Sequence, residues 1–508
     1  MDKRTTVLLT LFLSVSILSA QERFDKEWMF GGGYNLSYNL GVTKIDFSGS
    51  QIKISSKDGS PDFSLGRESG SFVCDKSGKV ILYTDGCSIR DSSLNIIING
   101  DSLNQGELYP YYCHQGAGGF PAKQSTLFLP DLLDSNKYYL FHKDSHLNSQ
   151  LETVVSQKLF KSTIELDSNG QYRVVEKNKL ILSESWLNVD DLSACRHSDG
   201  QSWWIATHEY KGDKFYTFLL SPNGTVSGPF IQAIGGQMFQ GFDQPNSATF
   251  SPDGKHFAMN SDSSTILSLT HYITLFDFDN STGEFSNPRL ITYHLDSLGA
   301  AFGLSFSPNS ELLYVSTSST LLQVDFNQNE PDIEILGYVN EVKNNWVVGI
   351  GDMTIGPDCR IYASPGSKNN FLHVIHHPNL KGPACGFQPF AIETPTKVAF
   401  DLPNLPVFPD CDSTIAWLPV GIKETPQQKI RMTIYPNPSR DILTVSLPLF
   451  YDNIVLEIQD VMGRIVYKVA LDPGVTQQNI DVSNIPSGIY FVVDEKRKYE
   501  IEKIVIMK

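Results

Sequence analysis

The chain has 508 residues, 41% of them hydrophobic and 11% aromatic, and a formal charge of -16. That length exceeds what one hydrophobic core organises, so at least two folded units are expected. Residues 430–508 hold 9 Lys and Arg against 10 Asp and Glu, so nearly all the negative charge lies before them, which argues against nucleic acid and anionic membranes as partners of the large N-terminal part.

The first element is a secretory signal over residues 1–20, with Lys3 and Arg4, an apolar run from Val7 to Leu18, then Ser19 and Ala20. The run is too short to span a bilayer, and no later stretch is apolar enough, so no transmembrane segment is expected. Export puts Cys74, Cys87, Cys113, Cys195, Cys359, Cys385 and Cys411 in a compartment that permits disulfides. Cys74 and Cys87 flank an expected hairpin, and Cys385 and Cys411 bracket a Pro-rich closing segment, so these two pairs are the candidate bridges. The absence of any C-x-x-C spacing removes the simplest zinc and redox readings.

Between residues 24 and 421 one unit recurs: an alternating strand, a tight turn of Ser-Pro-Asp-Gly type, and a second strand rich in aromatic and β-branched residues. The best copies are Ala248 to Met259, Gly303 to Ser316 and Met353 to Ala363. Weaker ones are Phe72 to Thr84, Leu127 to Phe141 and Leu192 to Thr207. Their turn residues Asp75, Asn136, Asp199, Asp253, Asn309 and Asp358 recur roughly every 50 to 60 residues, a period of propeller blades. A second hairpin follows in several units, as in Ile273 to Arg289, which supplies four strands per blade. The expectation is an all-β chain with a β-propeller of seven blades, six or eight being alternatives. Its seventh blade would be assembled from Trp28 to Phe47 and Phe387 to Leu418, reinforced by Cys385–Cys411.

Residues 422–430 are polar and aperiodic and read as a linker. Beyond them, residues 431–508 alternate apolar and polar positions between turn signals, as a small Ig-like β-sandwich does.

Within that last unit stand Ile434-Tyr435-Pro436-Asn437-Pro438, then Val461-Met462-Gly463-Arg464-Ile465-Val466, then Ser487-Gly488-Ile489-Tyr490-Phe491, and a terminal Lys508. These segments resemble the type A C-terminal sorting domain of Bacteroidetes type IX secretion. The resemblance implies that Tyr435, Pro436, Asn437, Pro438, Gly463, Arg464, Gly488, Tyr490 and Lys508 form the sorting signal. It also implies that the secretion machinery is its partner, and that the protein ends at the cell surface or outside the cell. The body resembles a family of Bacteroidetes surface propellers associated with gliding motility, through Trp28 to Gly31, Tyr83 to Gly86, Lys123 to Leu127, Asp199 to Trp204, Phe276 to Asp279 and Leu402-Pro403-Asn404. That family is known by context and not by a chemistry.

No catalytic, cofactor-binding or metal-binding residues are assigned, and no cofactor is expected. His208-Glu209 lacks the second histidine of a zinc-protease helix. Ser198-Asp199-Gly200 is contiguous where the Asp-box of sialidases is spaced. The glycines at 31 to 33 and at 116, 118 and 119 lack a strand-to-helix setting for phosphate. Asp277, Asp279, Asn280 and Glu284 lack the full ligand spacing of a calcium-binding hand. His373 and His377 would share a strand face with no third ligand, with His376 between them. Tyr109 to Phe120 gathers tyrosines that could stack on sugar rings, although packing against the propeller is the simpler reading. The expected function is a non-enzymatic binding or adhesion protein for a glycan or protein. The rivals are a secreted polysaccharide- or peptide-degrading hydrolase or lyase, and a structural component of a surface or motility assembly.

Overall fold

The computed structural model describes residues 23–31, 41–57, 70–104, 106–114, 119–120, 122–148, 153–236, 247–265, 268–294, 301–328, 330–343, 346–398, 401–417, 432–446, 455–461, 463–471, 477–494 and 501–508. The expected signal 1–20 and linker 422–430 lie outside these residues.

Seven sheets of three to five strands follow one another between residues 27 and 398, among the described residues. The first comprises Glu27–Gly31, Val42–Asp46 and Lys53–Lys57; the second Ser71–Cys74, Val80–Thr84 and Ile89–Asp91. The third to seventh begin with Thr126–Pro130, Ser193–Arg196, Ser247–Phe250, Ala301–Phe306 and Met353–Ile355. Each sheet touches the next, and the outer strand of the seventh, Phe387–Val398, touches all three strands of the first, so the succession closes into a β-propeller. A short hairpin, Glu341–Lys343 with Trp346–Val348, stands between the sixth and seventh sheets.

The repeated turn is built by its own side chains. Ser251 Oγ accepts from His256 N (2.9 Å) and Asp253 Oδ1 from Lys255 N (3.1 Å), while Gly254 takes φ +67°. Ser307 and Asn309 repeat the arrangement in the next sheet, with Ser310 at φ +62° in the glycine's place. A short polar side chain that binds nearby backbone N–H groups fixes such a turn locally, which is why it recurs legibly in the sequence.

Alternation along each strand then aims residues at both neighbouring sheets. Trp203 Nε1 donates to Pro130 O of the third sheet (3.0 Å), and Trp204 Nε1 to Asn280 O of the fifth (2.9 Å). Between the fourth and fifth sheets Trp204, Phe215, Phe250, Phe257, Phe276, Phe278 and Phe285 share one core cluster, with edge-to-face contacts of Trp204 with Phe278 and of Phe215 with Phe257 and Phe276.

The two candidate disulfides are corrected. Cys87 is bonded to Cys113 and Cys359 to Cys411, whereas Cys74, Cys195 and Cys385 are free and buried. Cys74 ends the first strand of its hairpin and Cys87 lies beyond the far end of the second, a strand length away, with Cys74 Sγ turned to Glu27 O. Cys385 closes a 3-10 turn, Gly382–Cys385, buried beside Tyr314 in the sixth sheet's core cluster. The composite seventh blade is corrected too: the strands within Trp28 to Phe47 lie in the first sheet with Lys53–Lys57, Phe387–Val398 is the outer strand of the seventh, and residues 401–417 form no strand. Pro403, Pro406 and Pro409 remove the N–H groups a ladder would use.

The C-terminal unit packs Thr433–Tyr435, Ile442–Ser446 and Gln477–Asp481 against a four-stranded sheet of Ile465–Ala470, Val455–Gln459, Gly488–Asp494 and Glu502–Ile506. Leu443, Val445, Leu456, Ile458, Val492 and Ile504 fill its core.

Candidate functional site

A propeller offers two natural places for chemistry, its axial channel and the loops around its mouths. Here the axis is occupied by the chain itself. Asn404 N donates to Gly70 O (2.7 Å), and Ser71 Oγ donates to Asn404 O (2.8 Å), at the start of the second sheet. The Asn404 amide donates to Thr126 O (3.0 Å) of the third sheet and to Leu192 O (2.9 Å) before the fourth. Lower down, Val407 N donates to Ala194 O (2.9 Å), and Phe408 meets Trp203 edge-on at 6.1 Å. Arg23 lies over the Phe408 ring at 5.3 Å and donates to Asp410 O, and Cys411 is then bonded to Cys359 in a turn of the seventh sheet. The narrow cleft left beside residues 403–408 is lined by Ser193, Ser247, Thr249, Ser305, Thr354 and Asp352.

The charged groups at the mouth are engaged in holding this arrangement. Lys123 Nζ meets Asp352 Oδ1 at 3.0 Å and donates to Phe302 O (2.8 Å), and its own N–H donates to Asp190 Oδ1 (2.6 Å). Burial opposes the Lys123 charge, but Asp352, Asp401 and Asp190 outweigh it and hold the ammonium above its ordinary value. Gln124 binds Ala248 through both amide atoms. The segments Lys123 to Leu127, Asp199 to Trp204 and Leu402 to Asn404, which carried the body's resemblance, thus meet around the axial segment or stitch adjacent sheets.

The remaining sequence candidates are scattered. His208 is buried against Phe215 (4.5 Å between rings), and Glu209 pairs with exposed Lys214 at 3.1 Å. Asp199 Oδ1 accepts from Gln201 N and Ser202 N in its own turn. Asp277 is bonded to Arg289 and Asn287, and Asp279 caps Ser281. The strand carrying His373 ends at Ile375, so His377 shares no strand face with it. His373 Nε2 meets Gly349 O (2.9 Å), Phe390 N donates to its Nδ1 (3.1 Å), and burial pushes its imidazole down to about 4. His376 Nε2 meets Gln388 Oε1. Gly31 ends a strand at φ +96°, and Gly32, Gly33, Gly116 and Gly118 lie outside the described residues. Among the described residues no three His, Cys, Asp or Glu side chains gather as metal ligands would.

In the C-terminal unit the motif residues converge on one end of the sandwich. Asn437 Nδ2 donates to Lys503 O (2.8 Å) and its Oδ1 accepts from Val505 N (2.9 Å), which ties the first strand's exit to the last strand. Gly463 takes φ +77° in the turn that Asp460 braces through Arg464 Nε (2.7 Å). Tyr490 OH donates to Pro486 O (2.9 Å), its ring lying against Gly488, where an added Cβ would come within 3.2 Å. Lys508 N donates to Ser487 Oγ (2.9 Å), and its ammonium reaches the carbonyls of Val482, Ser483 and Arg440. Sequence order hides this gathering because two hairpin turns, the connection 482–488 between the two sheets and Lys508 supply it.

Residues 433–508 match the family described as Secretion system C-terminal sorting domain. No curated protein sequence matches the chain. Among solved structures, a Lactobacillus plantarum protein is 12% identical, covering 74% of this chain and 98% of its own, with a TM-score of 0.43. A protein described as a 6-phosphogluconolactonase from Bacteroides fragilis is 11% identical over 74% of this chain and 97% of its own (TM-score 0.35). The periplasmic gluconolactonase of Pseudomonas aeruginosa is 10% identical over 73% and 96% (TM-score 0.35). No helix among the described residues is long and apolar enough to cross a membrane.

Proposed function

We infer, from a chain that type IX secretion carries to the cell surface or the extracellular space through its residues 433–508, that the β-propeller body is a non-enzymatic binding or adhesion protein for a glycan or protein. Its outer loops serve as the binding face. One observation carries this reading: the axis, where groups from several sheets would converge on a substrate, is filled by residues 401–410, and the mouth's Lys123, Asp352 and Asp190 are bound to one another or to backbone. A hydrolase needs convergent acid, base or nucleophile within reach of one pocket. In this reading residues 24–421 are the body, 422–430 the linker, and 431–508 the sorting domain. Within the last, Tyr435, Pro436, Asn437, Pro438, Gly463, Arg464, Gly488, Tyr490 and Lys508 shape the end that the secretion machinery recognises.

The test is the melting temperature of the full chain across polysaccharides, oligosaccharides and surface proteins, since a ligand that binds only the folded form raises it. A saturable rise with the ligand recovered intact supports a binder. A rise accompanied by new reducing ends or cleaved peptide overturns the reading in favour of a hydrolase.

A further inference from the structure

The two outer strands of the third sheet, Thr153–Leu166 and Tyr172–Leu187, are paired with an irregularity in their middle. Lys161 stands opposite Lys179 and Thr163 opposite Glu176, so two steps along one strand span three along the other. Asn178 takes φ +52° within this bulge. Glu176 and Lys179 are three positions apart, and regular alternation would send them to opposite faces. The bulge turns both to one side: Glu176 meets Lys161 Nζ at 3.3 Å and Lys179 Nζ at 3.0 Å. Two lysines thus face each other across the ladder and share one carboxylate. Like charges at opposed positions cost stability.

A cavity of about 450 Å3 opens over this cluster, between the third sheet and the turn that joins Lys214–Leu220 to Val226–Ala233 in the fourth. Three lysines and one glutamate line it: Lys137, Lys161, Lys179 and Glu176. The Lys161 side chain is only 5% exposed, and its Nζ donates to Gly224 O of the turn (2.8 Å) and lies 5.4 Å from the centre of the Tyr139 ring. Gly224 takes φ +79°, and a Cβ there would come within 2.8 Å of Tyr139 OH, so the turn is seated closely on the third sheet. Burial pulls the Lys161 ammonium below its ordinary value; Glu176 opposes this, while Lys179 and Lys137 reinforce it. Lys137 is paired with Glu165 at 3.2 Å. Val175, Ile181 and Val226 add apolar wall, and Asn223 and Thr225 add polar groups.

We propose that this cavity binds an acidic sugar, holding its anionic group, a uronate carboxylate or a sulfate ester, through Lys161 and Lys179 and its ring against Val175, Ile181 and Val226. Three lysines against one glutamate leave positive charge that a further anion would neutralise, and that anion would offset the repulsion of the opposed pair. The volume falls within the range of small-ligand sites, about 300–1,000 Å3, where apolar walls carry the contact and a few polar groups fix orientation. The chain's charge of -16 opposes a polyanion at a distance, so the attraction acts locally, within the Debye length of about 8 Å at physiological salt. The proposal rests on the binding reading above and narrows it to one ligand class and one cavity.

The experiment is calorimetric titration of the full chain with an oligogalacturonate and a sulfated galactan oligomer, with an oligomer of glucose and a polyglutamate peptide in parallel. Binding of an acidic oligomer is expected, and which of the two binds identifies the anionic group. Lys179→Gln is expected to weaken it about tenfold and Lys179→Arg to keep most of it. Glu176→Gln, which removes the competing carboxylate, is expected to tighten it. The Lys179 side chain is 54% exposed, and an unchanged melting temperature shows that Lys179→Gln is folded. Acidic-sugar binding that Lys179→Gln leaves intact overturns the cavity as the site but spares the binding reading. Binding of only the neutral oligomer or the peptide overturns the ligand class. If no sugar binds while a surface protein raises the melting temperature, the cavity fails and the broader reading stands; if nothing binds, both fail.

Discussion

Gln124 treats Ala248 as a neighbouring strand would: its Nε2 donates to Ala248 O (3.0 Å) and its Oε1 accepts from Ala248 N (2.8 Å). The two residues are 124 positions apart, one at the entrance to the third sheet and one on the innermost strand of the fifth. An inner strand has an edge facing the axis, and its buried N–H and C=O groups need partners there. Gln124 supplies them for Ala248, and the axial Asn404 and Val407 donate to the carbonyls of Gly70, Thr126, Leu192 and Ala194 at the second to fourth sheets.

Gln124→Ala therefore leaves a donor and an acceptor of Ala248 without their partners. A loss of about 2 kcal/mol is expected, since each unsatisfied buried group costs about 1–3 kcal/mol. Urea unfolding of the variant against the parent checks it. A change below a few tenths of a kcal/mol would mean that the axis is hydrated enough to replace the amide.

Asn404→Asp is a sharper probe of the axial segment than Asn404→Ala. Alanine removes two donations, to Thr126 O and Leu192 O, whereas aspartate sets a carboxylate against the same two carbonyl oxygens. Both variants are expected to be destabilised, aspartate the more, by roughly 3 kcal/mol or above. Equal stability of the two variants would show that the carbonyls find water instead.

Much of the fold was legible because its signals are local. Ser251 and Asp253, or Ser307 and Asn309, make their turns through contacts of five residues or fewer, so the repeat could be read directly. The axial segment was not legible. Asn404 is held by residues 278 and 212 positions away, and three prolines erase the alternation that marks a strand. The disulfides failed for a related reason: proximity in sequence suggested Cys74 with Cys87, but the hairpin separates them, and Cys113 returns on a helix that tyrosine-rich composition did not announce. Within Tyr109 to Phe120, the sequence does not distinguish Tyr109, which is buried with Cys87, from Tyr111, which is exposed.

The thiols give a chemical count of the same arrangement. Cys74, Cys195 and Cys385 are free and buried, and burial raises the thiol pKa of all three. An alkylating reagent is expected to label none of them in the native chain at pH 8 and three per chain in urea. One labelled thiol, or five, in urea would contradict the pairing. Removing Cys359–Cys411 by Cys411→Ser is expected to cost about 2–4 kcal/mol, because the bridge closes a loop of 52 residues and anchors the axial segment's lower end.

At the sorting end, Asn437→Ala cuts both links to the last strand, at Lys503 O and Val505 N. These bonds are exposed, so the stability cost is expected to be small, about 1 kcal/mol. A larger effect is expected on export, measured as the fraction of chain outside the cell. Export equal to the parent's would show that the geometry of this turn is not what the machinery reads.

Acidification is expected to destabilise the body well above the carboxylate range. Burial pushes His142 and His208 down to about 3 and His373 to about 4, and all three are held neutral in the fold. An unfolded chain protonates them near pH 6.5, so their stabilisation is present above that pH and is lost progressively as pH falls towards 4. Asp85 acts with the opposite sign. Burial raises it to about 6, so between about 3.8 and 6 the folded state keeps a proton that the unfolded state releases, and stability from this group falls as pH rises. These three histidines against this one aspartate leave a net uptake of about two protons on unfolding, to which His256 and His376, also lowered by burial, add and from which Asp191, raised by burial, subtracts. Stability should therefore drop by roughly 2–3 kcal/mol per pH unit between pH 6 and 4. Denaturant titrations at half-unit steps measure this slope, and His142→Gln, which removes one titrating group, should reduce it. A flat profile across that window would mean that at least two of these histidines are protonated in the fold, against the burial that holds them neutral.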